Sequence, residues 1–350
     1  MKIRSDVNVE QSDRSNQKNN HGNGNGMGKL IKAIAGIFFA TTSIFAASSA
    51  AWSAYPERPI RLIVSFPPGG SSDAMARIVQ PFVEEKLGQT IIIENRPGAG
   101  GMIAIEYVAK SAPDGYTIGL GGAGALGTNL GLQAMPYDPA KDIVAITGLA
   151  SSPFILAASN KFKGNTLQDV ITGAKSGQAF SIGHGGNGTL MHLTAEMLLQ
   201  DANIKAALVS YRGIAPVVND LMGDHIELGI VDPPSAKAAL DGNAIKAIAV
   251  TSKSRFPAMP NTPTFAESGL PGFESTGWFG IVAPHAIPID VVAKLNAAFV
   301  AALNDPDTVN RIRTLGSEPM PMTPSEFSVF IDKEIAKWGK VVQHATQKPE

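Results

Sequence analysis

The sequence predicts an α/β protein with two domains, and three observations support this prediction. Short β-rich apolar runs alternate with segments in which apolar residues recur at helical spacing. The alternation occurs in two successive blocks, which begin near Tyr55 and near Pro153. The chain has 350 residues and is 44% hydrophobic, so it is long and apolar enough for more than one core. A single large α/β domain is the alternative.

The first block is predicted to contain three strands joined by two helices. Its first helix should be kinked by Pro81 and should stop at Gly88. Such alternation is typical of a mainly parallel sheet covered by helices. The strands are expected at 59–66, 90–95 and 116–120, and the second helix at 102–112.

The second block repeats this alternation and is followed by a helical tail. A Pro- and Gly-rich stretch at 256–272 separates its last two strands. The strands are expected at 153–159, 179–183, 206–211, 225–232, 244–252 and 275–284. The helices are expected at 166–177, 190–200, 289–303, 308–315 and 325–342.

Residues 1–54 are predicted to comprise a polar N-terminus and a secretory signal peptide. Lys29 and Lys32 precede an uncharged run rich in small residues at 33–52. This order of basic, apolar and small residues places signal-peptidase cleavage near 50–54. An uncleaved membrane anchor is the alternative, because the run is nearly long enough to span a bilayer. Either Met1 or Met27 could serve as the start.

Composition excludes several classes of function. The formal net charge is -1 and no block of like charges occurs, so we expect no nucleic-acid partner. The sequence contains no cysteine, which excludes thiol nucleophiles, disulfides and thiolate metal sites. The loops that follow the predicted strands therefore remain as candidate functional regions.

Three glycine-rich loops follow predicted strands, at Pro67–Asp73, Gly121–Asn129 and Gly183–Thr189. The first and third lead into helices, whose first backbone amides lack partners within the helix and carry the positive end of its dipole. Such turns bind anions without a cationic side chain. Because ligands of α/β sheets bind beyond the carboxyl ends of the strands, the loops could face each other across a cleft. The alternative is that the glycines only form tight turns.

The loops favour a small carboxylate over a nucleotide. Gly122–Gly127 and Gly183–Gly188 both fit G-x-G-x-x-G, but neither lies in the first turn of a dinucleotide-binding unit. Pro136 interrupts the chain where a long helix should follow the first of them. Thr189 stands where a P-loop would have its phosphate-binding lysine, which argues against nucleoside triphosphates.

Catalytic motifs are missing from the sequence, so the pattern favours binding over chemistry. No G-x-S-x-G nucleophile elbow and no H-E-x-x-H occurs. Ser71 and Ser72 suit a helix N-terminus, and a hydrolase using one of them remains an alternative. His184 and His192 could bind a metal, pack in the core or contact a ligand. Asp232 could receive a ligand amine or hydroxyl, or it could cap the helix that follows.

Several segments between Tyr55 and about Trp338 stand in the order and spacing of a known family. They are YPERPIRLIVSFPPGGSSDAMAR, ENRPGAGGMIA, AKSAPDGYTIGL, GNGTLMHLTAEML, YRGIAPVVNDLMGDHIELGIVD and GWFGIVAP. On these motifs the chain resembles the Bug family, the periplasmic receptors of tripartite tricarboxylate transporters.

The resemblance implies a periplasmic-binding-protein-like (Venus flytrap) fold, in which two mixed sheets flanked by helices close on a ligand. Domain 1 would comprise 55–152 and 276–350, and domain 2 would comprise 153–275. It further implies a monomeric periplasmic receptor, not an enzyme, that delivers a small organic carboxylate to a transmembrane permease. No cofactor or metal is expected. A periplasmic sensor that feeds a signalling partner is the alternative.

The resemblance also implies a set of ligand-binding residues in the loops. They are Phe66, Pro68, Gly69, Gly70, Ser71, Asp73, Ala123, Ala125, Asn129, His184, Gly186, Asn187, Gly188, Thr189, Tyr211, Gly213 and Asp232. Two features depart from the family pattern. His184 stands where small polar residues are usual, and VDPPSA replaces a sequence of the FDN type, so the usual dicarboxylate or tricarboxylate ligand should not be assumed.

Overall fold

The computed structural model of the chain describes residues 55–128, 130–132 and 134–346. The predicted signal peptide, its cleavage region and both candidate start residues lie outside the described residues. Within the described ranges, no helix combines the length and the apolar character needed to cross a bilayer.

Strands and helices alternate through most of the described chain. The strands, numbered in chain order, are β1 (Ile60–Val64), β2 (Ile91–Asn95), β3 (Thr117–Gly122), β4 (Ile143–Pro153), β5 (Ile155–Ser159), β6 (Ser181–His184), β7 (Ala207–Ser210), β8 (Leu228–Val231), β9 (Ile245–Val250), β10 (Thr276–Pro284) and β11 (Glu318–Pro319). The helices are α1 (Ser71–Leu87), α2 (Met102–Ala109), α3 (Leu167–Lys175), α4 (Leu190–Asp201), α5 (Ala215–Met222), α6 (Pro233–Asp241), α7 (Ile289–Asn304), α8 (Pro306–Thr314) and α9 (Pro324–Thr346).

The strands form two mixed sheets, as the resemblance implied. The first is six-stranded, in the order β11-β4-β10-β3-β1-β2, and with α1, α2, α7 and α8 it forms what we call the first lobe. The second is five-stranded, in the order β7-β6-β8-β5-β9, and with α3–α6 it forms the second lobe. The chain passes from the first sheet to the second after Pro153 and returns between Val250 and Thr276.

The three strands predicted in the first block pair in parallel, but the complete sheets are mixed, because strands next to the crossings run antiparallel to their neighbours. In the first lobe β1 pairs parallel with β2 and β3, but β10 pairs antiparallel with both β3 and β4. In the second lobe β6 pairs parallel with β7 and β8, whereas β5 pairs antiparallel with β8 and β9. A chain that returns from the other lobe enters the sheet from the opposite end, which reverses its direction.

Helix α1 shows how the local sequence sets one element at the cleft. It extends over 17 residues and buries Met75, Val79 and Val83 against the sheet. It remains a single helix through Pro81, which is exposed. Gly88 ends it in the left-handed conformation at φ 68°, a backbone state that glycine adopts without steric cost.

The C-terminal helix α9 packs on both lobes. Trp338, almost fully buried, belongs to a core that contains Trp278 of β10 as well as Leu193 of α4. The indole nitrogens of Trp278 and Trp338 both donate hydrogen bonds to Glu334, at 3.1 and 3.2 Å. The helix therefore contributes to the positioning of the lobes around the cleft.

Candidate ligand-binding site

A cavity of about 90 Å³ lies between the two lobes. That volume could hold several water molecules or a small organic molecule. The lining comes from both lobes and includes the residues that follow the carboxyl ends of β1, β3, β6, β7 and β8, where α/β proteins bind ligands. It comprises residues 66–68, 70–72, 100, 122–124, 152, 154, 185, 189–191, 212–216, 232 and 277–279.

Helix N-termini from both lobes meet at this cavity. Helices α1, α4, α5 and α6 each begin at or directly beside a lining residue. The N-cap of α1 is Gly70, which offers no side-chain cap, so the amides of Ser71 and Ser72 remain available to a ligand. Helix dipoles directed at one small cavity favour an anion there.

Asp232 and Ser71 join the lobes across the cavity. The Ser71 hydroxyl donates a hydrogen bond to Oδ2 of Asp232, while Oδ1 accepts from the amide of Ser235 at 2.9 Å. Asp232 therefore caps α6 and also lines the cavity. That it receives an amine or hydroxyl of a ligand stays a prediction. Burial raises the pKa of the Asp232 carboxyl, against the hydrogen bonds from Ser71 and Ser235.

Apolar side chains form most of the cavity wall. Phe66 and Phe279 pack edge to face with ring centroids 6.2 Å apart. Arg212 is the basic residue of the described lining, and it is exposed. The other large side chains of the wall are Phe154, Leu190, Met191, Ile214 and Trp278.

Only part of the predicted residue set lines the cavity. The lining includes Phe66, Pro68, Gly70, Ser71, Ala123, Thr189, Gly213 and Asp232. Gly69, Asp73, Ala125, His184, Gly186, Asn187, Gly188 and Tyr211 do not belong to that lining, and Asn129 lies outside the described residues. Which of these residues contact a ligand stays a prediction.

Asp73 organises the first loop from behind the cavity. Its carboxylate accepts hydrogen bonds from the amide of Gly69 at 3.0 Å, from Asn95 at 3.1 Å and from Arg77 at 2.9 Å. Burial alone would raise the pKa of Asp73, but the hydrogen bonds from Arg77, Gly69 and Asn95 outweigh it and hold the pKa below its usual range. The carboxylate thus stabilises the turn that presents Gly70 and Ser71.

The amides of the third loop are bonded to protein groups. Gly186 N donates to Nδ1 of His184 at 3.4 Å, and Gly188 N donates to Nδ1 of His192 at 3.4 Å. Asn187 N donates to the Ser210 hydroxyl at 3.1 Å. The amides of residues 186–188 are thus bonded within the protein, and these three residues are not part of the described lining.

The two histidines beside this loop form a stacked pair. The rings of His184 and His192 lie 4.7 Å apart with 25° between their planes. Burial, together with the nearby His192, lowers the pKa of His184 to about 4. Among the described residues, no group of three or more His, Asp or Glu side chains is placed to hold a metal ion. The stack therefore supports a packing role for His184.

Two other predicted residues have structural partners. The hydroxyl of Tyr211 donates to Asp220 at 2.6 Å. Ala125 is fully buried, and its carbonyl accepts a hydrogen bond from Tyr137 at 2.5 Å.

Glycines allow the lobes to approach each other beside the cavity. A Cβ atom on Gly124 would lie 2.0 Å from the carbonyl oxygen of Gly188, and one on Gly100 would lie 2.6 Å from that of Asn187. Gly124 and Gly100 belong to the first lobe, whereas Asn187 and Gly188 belong to the second. The structure is therefore a closed form, in which Asn187 and Gly188 lie at the contact between the lobes.

The aromatic part of the wall was missed at the sequence level. Phe154 lies where the chain crosses between lobes, and Trp278 and Phe279 lie on the strand that returns. The segment GWFGIVAP contributed to the resemblance, but only its position beside a crossing would have indicated that it lines the cavity.

Comparison with known proteins identifies relatives over nearly the whole chain. The model of the tripartite tricarboxylate transporter family receptor matches residues 75–346. Protein BugT of Bordetella pertussis (strain Tohama I) is 34% identical over 323 residues, which cover 91% of this chain and 98% of BugT.

Solved structures share the fold at similar identity. Rpa4515 of R. palustris with adipate has a TM-score of 0.80 at 33% identity, and covers 83% of this chain and 98% of its own. MatC from Rhodopseudomonas palustris with bound malate has a TM-score of 0.78 at 31% identity, and the match covers 82% of this chain and 100% of MatC. The periplasmic binding protein BugD has a TM-score of 0.79 at 32% identity, and the match covers 85% of this chain and 100% of BugD. The family model describes a receptor and BugD is a binding protein, so neither is an enzyme.

Proposed function

This chain belongs to the tripartite tricarboxylate transporter receptor family, and on that premise we propose that it captures a small organic carboxylate in the periplasm and delivers it to a membrane permease. The single observation that carries the proposal is the convergence of helix N-termini from both lobes on one cavity. The bound adipate and malate of two structural neighbours support the ligand class.

The proposed carboxylate-binding groups are the first amides of α1 and the hydroxyl of Ser72, since the Ser71 hydroxyl already donates to Asp232. Ser71 and Ser72 present these groups from the first lobe, and Thr189, Gly213 and Asp232 face them from the second. Hydrogen bonds to a charged group contribute about 1.5–3 kcal/mol each, so a few of them would suffice for micromolar binding at about -8 kcal/mol.

Ligand binding and closure would be coupled. A ligand shifts an equilibrium between open and closed forms only by its preference for one of them. A molecule that contacts residues of both lobes interacts fully only with the closed form. The closed receptor would then be the form that a permease recognises. The proposed domain limits, 55–152 with 276–350 and 153–275, place the hinge at the two crossings.

Two experiments test this function. Native mass spectrometry of the exported protein should detect a bound small acid. Deletion of the permease genes should abolish uptake of that acid while the receptor still binds it. Uptake that persists without the permease, with signalling lost when the receptor is deleted, would support a sensor instead. N-terminal sequencing of the exported protein tests cleavage near 50–54.

A further inference from the structure

The acidic side chain of the cavity is buried, whereas the basic one is exposed. Among the described lining residues, Asp232 is the acidic one and Arg212 the basic one. Asp232 is 2% exposed, whereas Arg212 is exposed. The cavity therefore contains a buried carboxyl and no buried basic side chain among its described lining residues.

Asp232 lacks a cationic partner in the described part of the chain. Its oxygens accept hydrogen bonds from the Ser71 hydroxyl and the Ser235 amide, which are both neutral. A buried carboxylate costs considerable free energy unless it is paired with a cation or satisfied by several donors. The closed site is thus complementary to a ligand that brings a cation to Asp232.

An anion-binding region lies beside this carboxyl. Ser71, which donates to Asp232, is the first residue of α1, whose amides lack a side-chain cap. The hydroxyl of Ser72 is buried, lines the cavity and has no hydrogen-bond partner. A carboxylate at Ser72 and a cation at Asp232 would therefore be neighbours, as the two charges of an α-amino acid are.

The large side chains in the rest of the wall are apolar. They are Phe154, Leu190, Met191, Ile214, Trp278 and Phe279, while the exposed Arg212 lies among the other lining residues. With Asp232 ionised and the exposed Arg212 left out of the count, a zwitterion leaves one net negative charge in the cavity, a monocarboxylate two, and a dicarboxylate three. Because like charges repel strongly where water is excluded, the charge count favours the zwitterion.

We infer that the ligand is an α-amino acid with an apolar side chain, its ammonium at Asp232, its carboxylate at the start of α1 and its side chain against the aromatic wall. This inference rests on the proposed function and specifies its ligand class. Adipate and malate, the ligands bound in two structural neighbours, have no amine.

Calorimetry of the purified full receptor with matched compounds tests the inference. L-leucine and L-phenylalanine carry the amine, 4-methylpentanoate and 3-phenylpropanoate are the same skeletons without it, and adipate is a dicarboxylate. We expect at least one amino acid to bind about tenfold or more tightly than its deamino analogue, since a buried charge pair is lost without the amine. Adipate should bind more weakly than that amino acid.

Asp232→Asn tests the residue itself. Asparagine is also a favoured N-cap, so α6 should remain capped. We expect this variant to lose the preference for the amine, with amino-acid affinity falling about tenfold or more. Asp241→Asn is the matched control, because it removes the same charge from the exposed end of the same helix. It should keep the preference unchanged.

Three results would overturn the inference. These are adipate or a deamino analogue binding as tightly as the amino acids, no binding by either amino acid, and an Asp232→Asn variant that still discriminates. Native mass spectrometry separates this failure from that of the proposed function. A bound acid without an amine would overturn the ligand class and support the receptor, whereas a protein that binds no carboxylate would contradict both.

Discussion

Gly70 is the residue at which a side chain should interfere most directly with an anion. Its φ of −79° and ψ of 171° are open to any residue, and an added Cβ would meet only the carbonyl oxygen of Pro67, at 3.4 Å. Gly70→Val therefore fits the backbone but extends into the cavity. We expect affinity for the natural acid to fall about tenfold or more, because hydrogen bonds to a charged group are lost. Calorimetry gives the affinity.

Gly242→Val is the control for this substitution. Gly242 has φ −80° at an exposed helix end. Urea unfolding should show that both variants lose no more than about 1 kcal/mol of unfolding free energy. Only Gly70→Val should change the affinity for the ligand. If Gly70→Val bound the ligand normally, the start of α1 would not be the anion site.

His184 should make stability depend on pH. Its folded pKa, lowered to about 4 by burial and by His192, lies below the ordinary value of 6.5. Between these values the unfolded chain binds the extra proton, so stability is lost as pH falls from about 6.5 to 4. The loss is limited to about 3 kcal/mol, and urea unfolding across this pH range measures it.

His184→Asn removes the titrating group and should flatten this dependence. His225→Asn changes an exposed histidine and should leave the wild-type profile intact. Parallel profiles for the wild type and His184→Asn would show that other groups control acid stability.

At the scale of elements, two threonine caps allow stability to be separated from binding. Thr189 caps α4 by accepting from His192 N at 3.4 Å, and its hydroxyl donates to Gly186 at 2.7 Å. Thr166 caps α3, far from the cavity, by accepting from Asp169 N at 3.1 Å. Each Thr→Ala variant should lose about 1 kcal/mol of unfolding free energy. Calorimetry should detect weaker binding only for Thr189→Ala.

Equal binding losses in the two variants would contradict a local role for Thr189. Such a result would mean that affinity follows the global stability of the protein.

The sequence predicted the strands and helices that have strong local patterns, and it missed elements whose local pattern is short or interrupted. Strand β4 was missed because small residues and Gly148 interrupt its apolar run. Strand β5 begins only two residues after Pro153, the last residue of β4, which obscures the boundary between the two strands. Helix α5 was missed because it has only eight residues and Pro216 near its start.

The sequence predicted the turns of the candidate site but not the residues that reach it from other parts of the chain. Glycine spacing after strands indicated the turns, since that signal is local. Residues such as Trp278 and Phe279 reach the cavity only because a strand from the second lobe returns into the first sheet. The hydrogen-bond partners of the third-loop amides include Ser210 of the adjacent strand and could not be inferred from spacing.

At the scale of the whole molecule, closure depends on the absence of side chains where the lobes meet. Gly124→Ala places a methyl group 2.0 Å from the carbonyl oxygen of Gly188, which neither backbone can accommodate without moving apart. The clash involves the opposite lobe, so each lobe should keep its fold. We expect the variant to remain open with ligand present. Small-angle X-ray scattering should detect no ligand-induced compaction, and affinity should fall.

Gly339→Ala serves as the control, because Gly339 lies in α9 with no neighbouring atom within 4 Å of an added Cβ. It should compact like the wild type and gain up to about 1 kcal/mol from the better helix propensity of alanine. If Gly124→Ala compacted as fully as this control, the lobes would have another closed arrangement. The contact between Gly124 and Gly188 would then not define the ligand-bound state, and the cavity would have to be assigned from that other arrangement.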